Sequence, residues 1–163
     1  MLIKRIGFAM MALSILLSAG CGFKLQGSYL IPKALQTVSV NSPDQFSELT
    51  RLVRERLRFS NIKIVKNNAK VPQINLISDS LERSALSLYP TGNVAEYELI
   101  YHVKFSVSLP SKEAQPFEVL IRRDYLDDPR TASAKSREMQ LLVKEMRQQA
   151  ADKILQNIAA LEG

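Results

Sequence analysis

The chain has 163 residues, 46% hydrophobic and 23% charged, with a formal net charge of +6. That length holds one folded domain and leaves little room for a second, and apolar residues spread along the whole chain exclude a disordered protein. One cysteine excludes an internal disulfide, and together with one histidine it excludes an all-Cys/His zinc site within a single chain.

Lys4 and Arg5 form a short basic region, and Ile6 to Ala19 is a run of 14 residues without a charge. A membrane-spanning helix needs roughly 20 apolar residues, so a run of this length reads as the core of a secretory signal. It ends in Ser18-Ala19-Gly20-Cys21, small residues that suit a signal peptidase gripping an extended backbone. The stretch LLSAGC resembles a bacterial lipobox, in which the cysteine becomes the first residue of the mature protein and its thiol takes a diacylglycerol. Ser18 stands where the usual pattern has Leu, and Leu17 lies one step earlier. An ordinary secretory signal is the alternative; the only cysteine of the chain falling at this place favours the lipoprotein. The resemblance implies a lipid anchor at Cys21, with each buried CH₂ contributing roughly 0.8 kcal/mol. Gly22 follows the cysteine where an inner-membrane retention signal would carry Asp, which resembles an outer-membrane destination. The expected organisation is a signal peptide over 1–20, a lipidated tether over 21–33 and a single α+β domain over 34–163. Without Lys4 and Arg5 the mature chain keeps 20 basic residues against 16 acidic, a net of +4.

Residues 22–33 hold two glycines and a proline without a steady period, as a tether would. Leu35 to Val40 alternates and predicts a strand. Ser42, Pro43 and Gln45 fit the start of a helix as N-cap, first helical residue and capping-box residue. Phe46, Leu49, Val53 and Leu57 then form one stripe of an amphipathic helix of about four turns, with Arg51, Arg54 and Arg58 on another face. Ile62, Ile64 and Val65 make a short apolar strand, broken by Lys66-Asn67-Asn68, and Ile74 to Tyr89 is mostly extended. Tyr89-Pro90-Thr91-Gly92-Asn93 predicts a turn. From Ala95 to Leu109 every odd position is apolar, while the even positions are polar except Ile100; this predicts a long strand with one buried face. Phe117, Val119 and Ile121 begin its partner, ending near Tyr125. Asp128 and Pro129 are expected to open a last helix whose stripe runs from Met139 to Leu161, roughly 45–50 Å long. The order read from these segments is β-α-β-β-β-α. It describes a two-layer α+β sandwich, a four-stranded sheet with both helices on its odd-numbered face. A parallel crossover through the first helix is allowed.

The sequence carries no phosphate loop, dinucleotide fingerprint, nucleophile elbow or zinc-protease motif. No catalytic residue, cofactor or metal site is assigned. His102 falls on the polar side of the long strand and reads as a surface histidine. Asp127 and Asp128 read as turn and cap before Pro129. Arg51 to Arg58 is basic, yet no aromatic residues interleave to stack on bases. A secretory signal also removes the chain from nucleic acid. The bland reading is a solvated helix face; the alternative is an anion site, for which a lipid phosphate or lipopolysaccharide is the natural ligand in an outer-membrane lipoprotein.

Three stretches together resemble the LPS-assembly lipoprotein family LptE. They are Cys21-Gly22-Phe23-Lys24-Leu25-Gln26-Gly27, then Thr91-Gly92-Asn93 with Ala95-Glu96-Tyr97, and finally Arg122-Arg123 through Asp128-Pro129, Ala134-Lys135 and Val143-Lys144-Glu145-Met146. Gln26 stands where the family usually has Arg. The resemblance implies a partner, the outer-membrane barrel LptD, with the chain as a plug inside it, and a role in delivering lipopolysaccharide to the outer leaflet without catalysis. Another envelope lipoprotein acting as scaffold or solute binder is the alternative. A small hydrolase using His102 is a third reading.

The long strand and its partner are antiparallel in this scheme, which puts the turn at 90–93 at the same end as 126–130. Arg123 and Arg130 belong to that end, with Lys135 one to two turns into the helix that starts there. These three are the candidate lipopolysaccharide-binding residues, since clustered Arg and Lys suit phosphate. Lys135 matches a basic position of the family's helix signature, whereas Pro90 occupies a place where relatives can carry a basic residue. Ordinary solvated charge is the competing explanation.

Overall fold

In the computed structural model, residues 32–127 and 131–161 are described, together with Arg5. The signal run, Cys21, most of the tether and Asp128 to Arg130 lie outside the described residues. A 3-10 turn at Lys33–Leu35 leads into β1 (Thr37–Asn41), and Leu35 is fully buried, so the chain is already seated in the core before the first strand.

The first helix, α1 (Glu48–Phe59), starts later than its capping signals suggest. Its N-cap is Ser47, whose hydroxyl accepts from the Thr50 amide at 3.2 Å. Asp44 takes the amide of Phe46 at 2.8 Å instead, folding residues 42–46 into a local turn. Phe46 is therefore off the helix and 95% exposed, not part of the buried stripe. Leu49, Leu52, Val53 and Leu57 form that stripe. The helix ends in a Schellman arrangement: Asn61 takes φ +58°, its amide bonds to Arg58 O at 3.0 Å, and the Ile62 amide bonds to Leu57 O at 3.0 Å. Buried Ile62 and Leu57 supply the accompanying apolar pair.

The sheet has five strands, one more than expected, in the order β2-β1-β3-β4-β5. The short apolar strand expected at 62–65 is β2 (Lys63–Val65), which β1 pairs with in parallel, so the count of four left out one of the extended segments. β1 also pairs in parallel with the start of β3 (Gln73–Leu88), so α1 is the crossover between β1 and β2. β4 (Val94–Ser108) and β5 (Gln115–Leu126) complete the sheet antiparallel to their neighbours. β1 reaches only as far as Asn75 on β3, and the rest of β3 runs on with β4 as its one described partner.

The last helix, α2 (Ala132–Ala159), has 28 residues, about 42 Å at 1.5 Å per residue. It buries Met146, Ala150, Ala151, Ile154, Leu155 and Ile158. Ion pairs tie the helices side by side: Arg147 with Glu48 at 2.6 Å and Arg56 with Asp152 at 2.6 Å. The numbering rises together across these pairs, so both helices run the same way. Under them the odd residues of β4 form the core, with Leu99, Tyr101, Val103 and Phe105 at 1% exposure or less. The architecture is the two-layer α+β sandwich with both helices on one side of the sheet.

Candidate functional site

The parallel register of β1 with β3 sets the polarity of the molecule. The chain enters at one end of the sheet, and the turn joining β3 to β4 lies at the other. That turn is closed by the Tyr89 amide on Asn93 O at 2.7 Å and the Gly92 amide on Tyr89 O at 2.9 Å, with Gly92 at φ +87°. Tyr89 Oη donates to Asp127 O at 3.0 Å, and the Asp127 amide bonds to Ala95 O at 2.9 Å. The turn and the connection into α2 are thus bolted together as one tip.

On the helix side of this tip, Tyr97 and Tyr125 are direct cross-strand neighbours. Each ring carries a cation. The Arg83 guanidinium lies 4.1 Å from the Tyr97 ring centre, and Lys135 Nζ lies 5.4 Å from that of Tyr125. Tyr125 Oη donates to the Lys135 carbonyl at 2.9 Å, which pins the first turns of α2 to β5. Lys135 is also paired with Glu138 at 2.9 Å, and its side chain is 18% exposed. Burial, chiefly, raises the Tyr125 phenol above its ordinary value.

Of the three cations expected at the tip, Lys135 is there. Arg123 faces the helix layer, opposite Leu99, but its guanidinium donates to Gln149 Oε1 at 2.8 Å. Gln149 lies about 21 Å along α2 from Lys135 at 1.5 Å per residue, so Arg123 points away from the tip. Arg130 lies outside the described residues. Arg83 is the residue that the sequence reading missed. A bulge between Leu76 and Ser78 shifts the phase of β3, so Ile74 and Leu76 face the helices before it, and Asp79, Leu81, Arg83 and Ala85 after it. The change of apolar positions from even (74, 76) to odd (81) was the available signal.

Further down this face, Tyr101 Oη donates to Asp79 Oδ2 at 2.6 Å, and the Arg147 guanidinium lies 5.9 Å from the Tyr101 ring. Burial first, then Asp79, pushes the Tyr101 phenol far above its ordinary value, so it stays a donor. On the opposite, helix-free face, His102 Nε2 lies 3.2 Å from Glu118 Oε2. No serine is hydrogen-bonded to that ring among the described residues, and no group of three His, Cys, Asp or Glu there could hold a metal ion. The helix-free face also carries Arg122 bonded to both Glu98 oxygens, at 3.0 and 2.9 Å, with Ile100, Leu120 and Leu126 among its polar residues.

The fold and sequence are shared with known lipoproteins. The rare lipoprotein B of Shewanella oneidensis is 71% identical, with a TM-score of 0.72 over 76% of this chain and 94% of that one. Lipoprotein B of Nitrosomonas europaea is 27% identical at a TM-score of 0.68, covering 85% and 91%. LPS-assembly lipoproteins LptE of Pectobacterium atrosepticum and Yersinia enterocolitica are 34% and 36% identical over 161 and 156 residues, or 98% and 94% of this chain and 88% and 75% of theirs. The profile of the LptE family, described as Lipopolysaccharide-assembly, matches residues 35–158, from the buried turn before β1 to the last buried residue of α2. The chain belongs to the LptE family of lipopolysaccharide-assembly lipoproteins.

Proposed function

We propose that the chain is an outer-membrane lipoprotein, acylated at Cys21, that plugs the LptD barrel and presents its tip to lipopolysaccharide. The observation that carries this reading is the helix-free face of the sheet. It spans β3, β4 and β5 and mixes ion-paired charges with serines and a few aliphatic residues. Large barrels have polar lumens that a folded domain can fill, and such a face suits a polar wall. The anchored end and the tip are at opposite ends of the sheet, so a tethered plug would carry its tip into the barrel. In this reading the chain binds and positions and performs no catalysis.

Photo-crosslinkers at positions 96, 98, 102 and 104 place the test on that face. They are expected to capture the barrel in cells. Products formed only with soluble periplasmic proteins would favour the scaffold alternative.

Lipopolysaccharide recognition is assigned to Lys135, with Arg83 beside it across the paired tyrosines and Arg130 as a third cation. A charge-assisted hydrogen bond contributes roughly 1.5–3 kcal/mol, so losing one costs about tenfold or more in affinity. Lys135→Asp combined with Arg130→Asp is expected to weaken lipopolysaccharide binding by at least about tenfold, measured with the lipid-free protein at fixed low salt. Unchanged binding by a folded double variant would refute the tip site and leave the plug role standing.

A further inference from the structure

We propose a second anion site, distinct from the tip: a pocket for a phosphomonoester formed by Arg54, Arg58 and Lys66 at the carboxyl end of β1 and β2. Arg54 and Arg58 are one turn apart on α1, on the stripe that faces the ends of these strands. β1 stops at Asn41 and β2 at Val65, and Lys66 follows directly. Together with Asn41, Gln45 and Asn67, these cations line a cavity of about 500 Å³ floored by the apolar ends of the two strands. That volume lies within the roughly 300–1,000 Å³ of small-molecule pockets. Crevices outside the carboxyl ends of parallel strands are where open α/β sheets commonly seat ligands.

The charge balance points to an anion. Among the described residues no Asp or Glu lines the cavity. Arg54 donates to the neutral Gln45 side chain and to the Val40 carbonyl at 3.4 Å, and its Nε is buried without a partner. The side chains of Arg58 and Lys66 make no ion pair or hydrogen bond among the described residues. Several cations elsewhere among the described residues are matched by a carboxylate: Arg56 by Asp152, Arg147 by Glu48, Arg122 by Glu98 and Lys104 by Glu118. Three cations gathered around one cavity repel each other until an anion enters. A phosphomonoester brings about −1.5 to −2 charges and three acceptor oxygens, enough to engage all three, whereas a carboxylate brings one charge and two oxygens. Arginine supplies a planar fork and lysine a point charge. β2 and β5 are opposite edges of the sheet. Four strand spacings separate them, about 19 Å, so this pocket and the Lys135 end of the tip are independent.

The test uses the full chain in detergent, titrated calorimetrically first with inorganic phosphate and then with intact or dephosphorylated lipopolysaccharide. Arg58→Gln combined with Lys66→Gln is the variant; both side chains are exposed, so it should fold, and its thermal melt checks that. Phosphate is expected to bind with salt-sensitive affinity, and the variant to bind at least tenfold more weakly. Displacement of phosphate by intact but not by dephosphorylated lipopolysaccharide identifies a glycolipid headgroup as the source. Variant-sensitive phosphate binding that neither preparation displaces identifies a free phosphate. Equal phosphate affinity in the folded variant, or equal competition by acetate, overturns the site.

Discussion

Replacing Phe105 by alanine is expected to remove about 3–5 kcal/mol of folding stability, the range for truncating a fully buried phenylalanine. Phe105 is 0% exposed at the centre of the sheet, its ring stacked on Phe117 with centroids 5.2 Å apart and planes 19° apart. Leu76 is its neighbour on the other side. β4 is held on both edges, and the helices above are tied by their own ion pairs, so the surroundings cannot collapse into the space left behind. Domains are stable by only about 5–15 kcal/mol, so a large share of the total goes. Urea unfolding of a soluble chain beginning at residue 22 measures this. It also tests whether the domain folds without lipid, since the apolar stripes bury one another and the anchor adds nothing to that core. Lys104→Ala is the control: its side chain is 52% exposed and 3.9 Å from Glu118, and exposed pairs contribute about 0–1 kcal/mol. A Phe105→Ala loss below about 1 kcal/mol would show that the site repacks and that the core is not the rigid stack described.

Membrane attachment is expected to depend wholly on Cys21. Among the described residues no helix is long and apolar enough to cross a membrane. Two acyl chains burying about 14 CH₂ groups each contribute on the order of 20 kcal/mol at roughly 0.8 kcal/mol per group, which is stable anchoring. Mass spectrometry of the native protein should find Cys21 as an acylated N-terminus. A chain secreted from residue 22 behind an ordinary cleavable signal, and made in excess over any barrel, should appear in the soluble periplasmic fraction. An intact signal, or cleavage elsewhere leaving an unmodified thiol, defeats the assignment.

Much of the fold was legible because periodicity reports which face of an element is buried. The odd residues of β4 and the α2 stripe are the core because a strand alternates and a helix returns every 3.6 residues, whatever packs against them. The turn at 89–93 was likewise announced by local chemistry, whereas the capping signals put the helix start at Ser42 and the cap is Ser47. Asp44 turned the intervening residues and left Phe46 in solvent. Local patterns cannot count ladders. The short strand at 62–65 was legible as an apolar run, but its parallel partner β1 is brought beside it only by the α1 crossover.

The sequence by itself determined the two-layer α+β class, the buried faces, and the motifs that resemble an LPS-assembly lipoprotein. The tertiary structure decided which cations meet. The bulge after Leu76 brings Arg83 to Tyr97, and the length of Arg123 carries its charge to Gln149 instead of the tip. It also decided which cations are neutralised. Arg56 and Arg147 find carboxylates about a hundred residues away, while Arg54, Arg58 and Lys66 gather where no acid side chain among the described residues lines the cavity. The physical reason is the range of each interaction. Burial patterns repeat within one element and can be read along it, whereas a charge depends on partners at a few ångströms, and those are set by how distant elements dock.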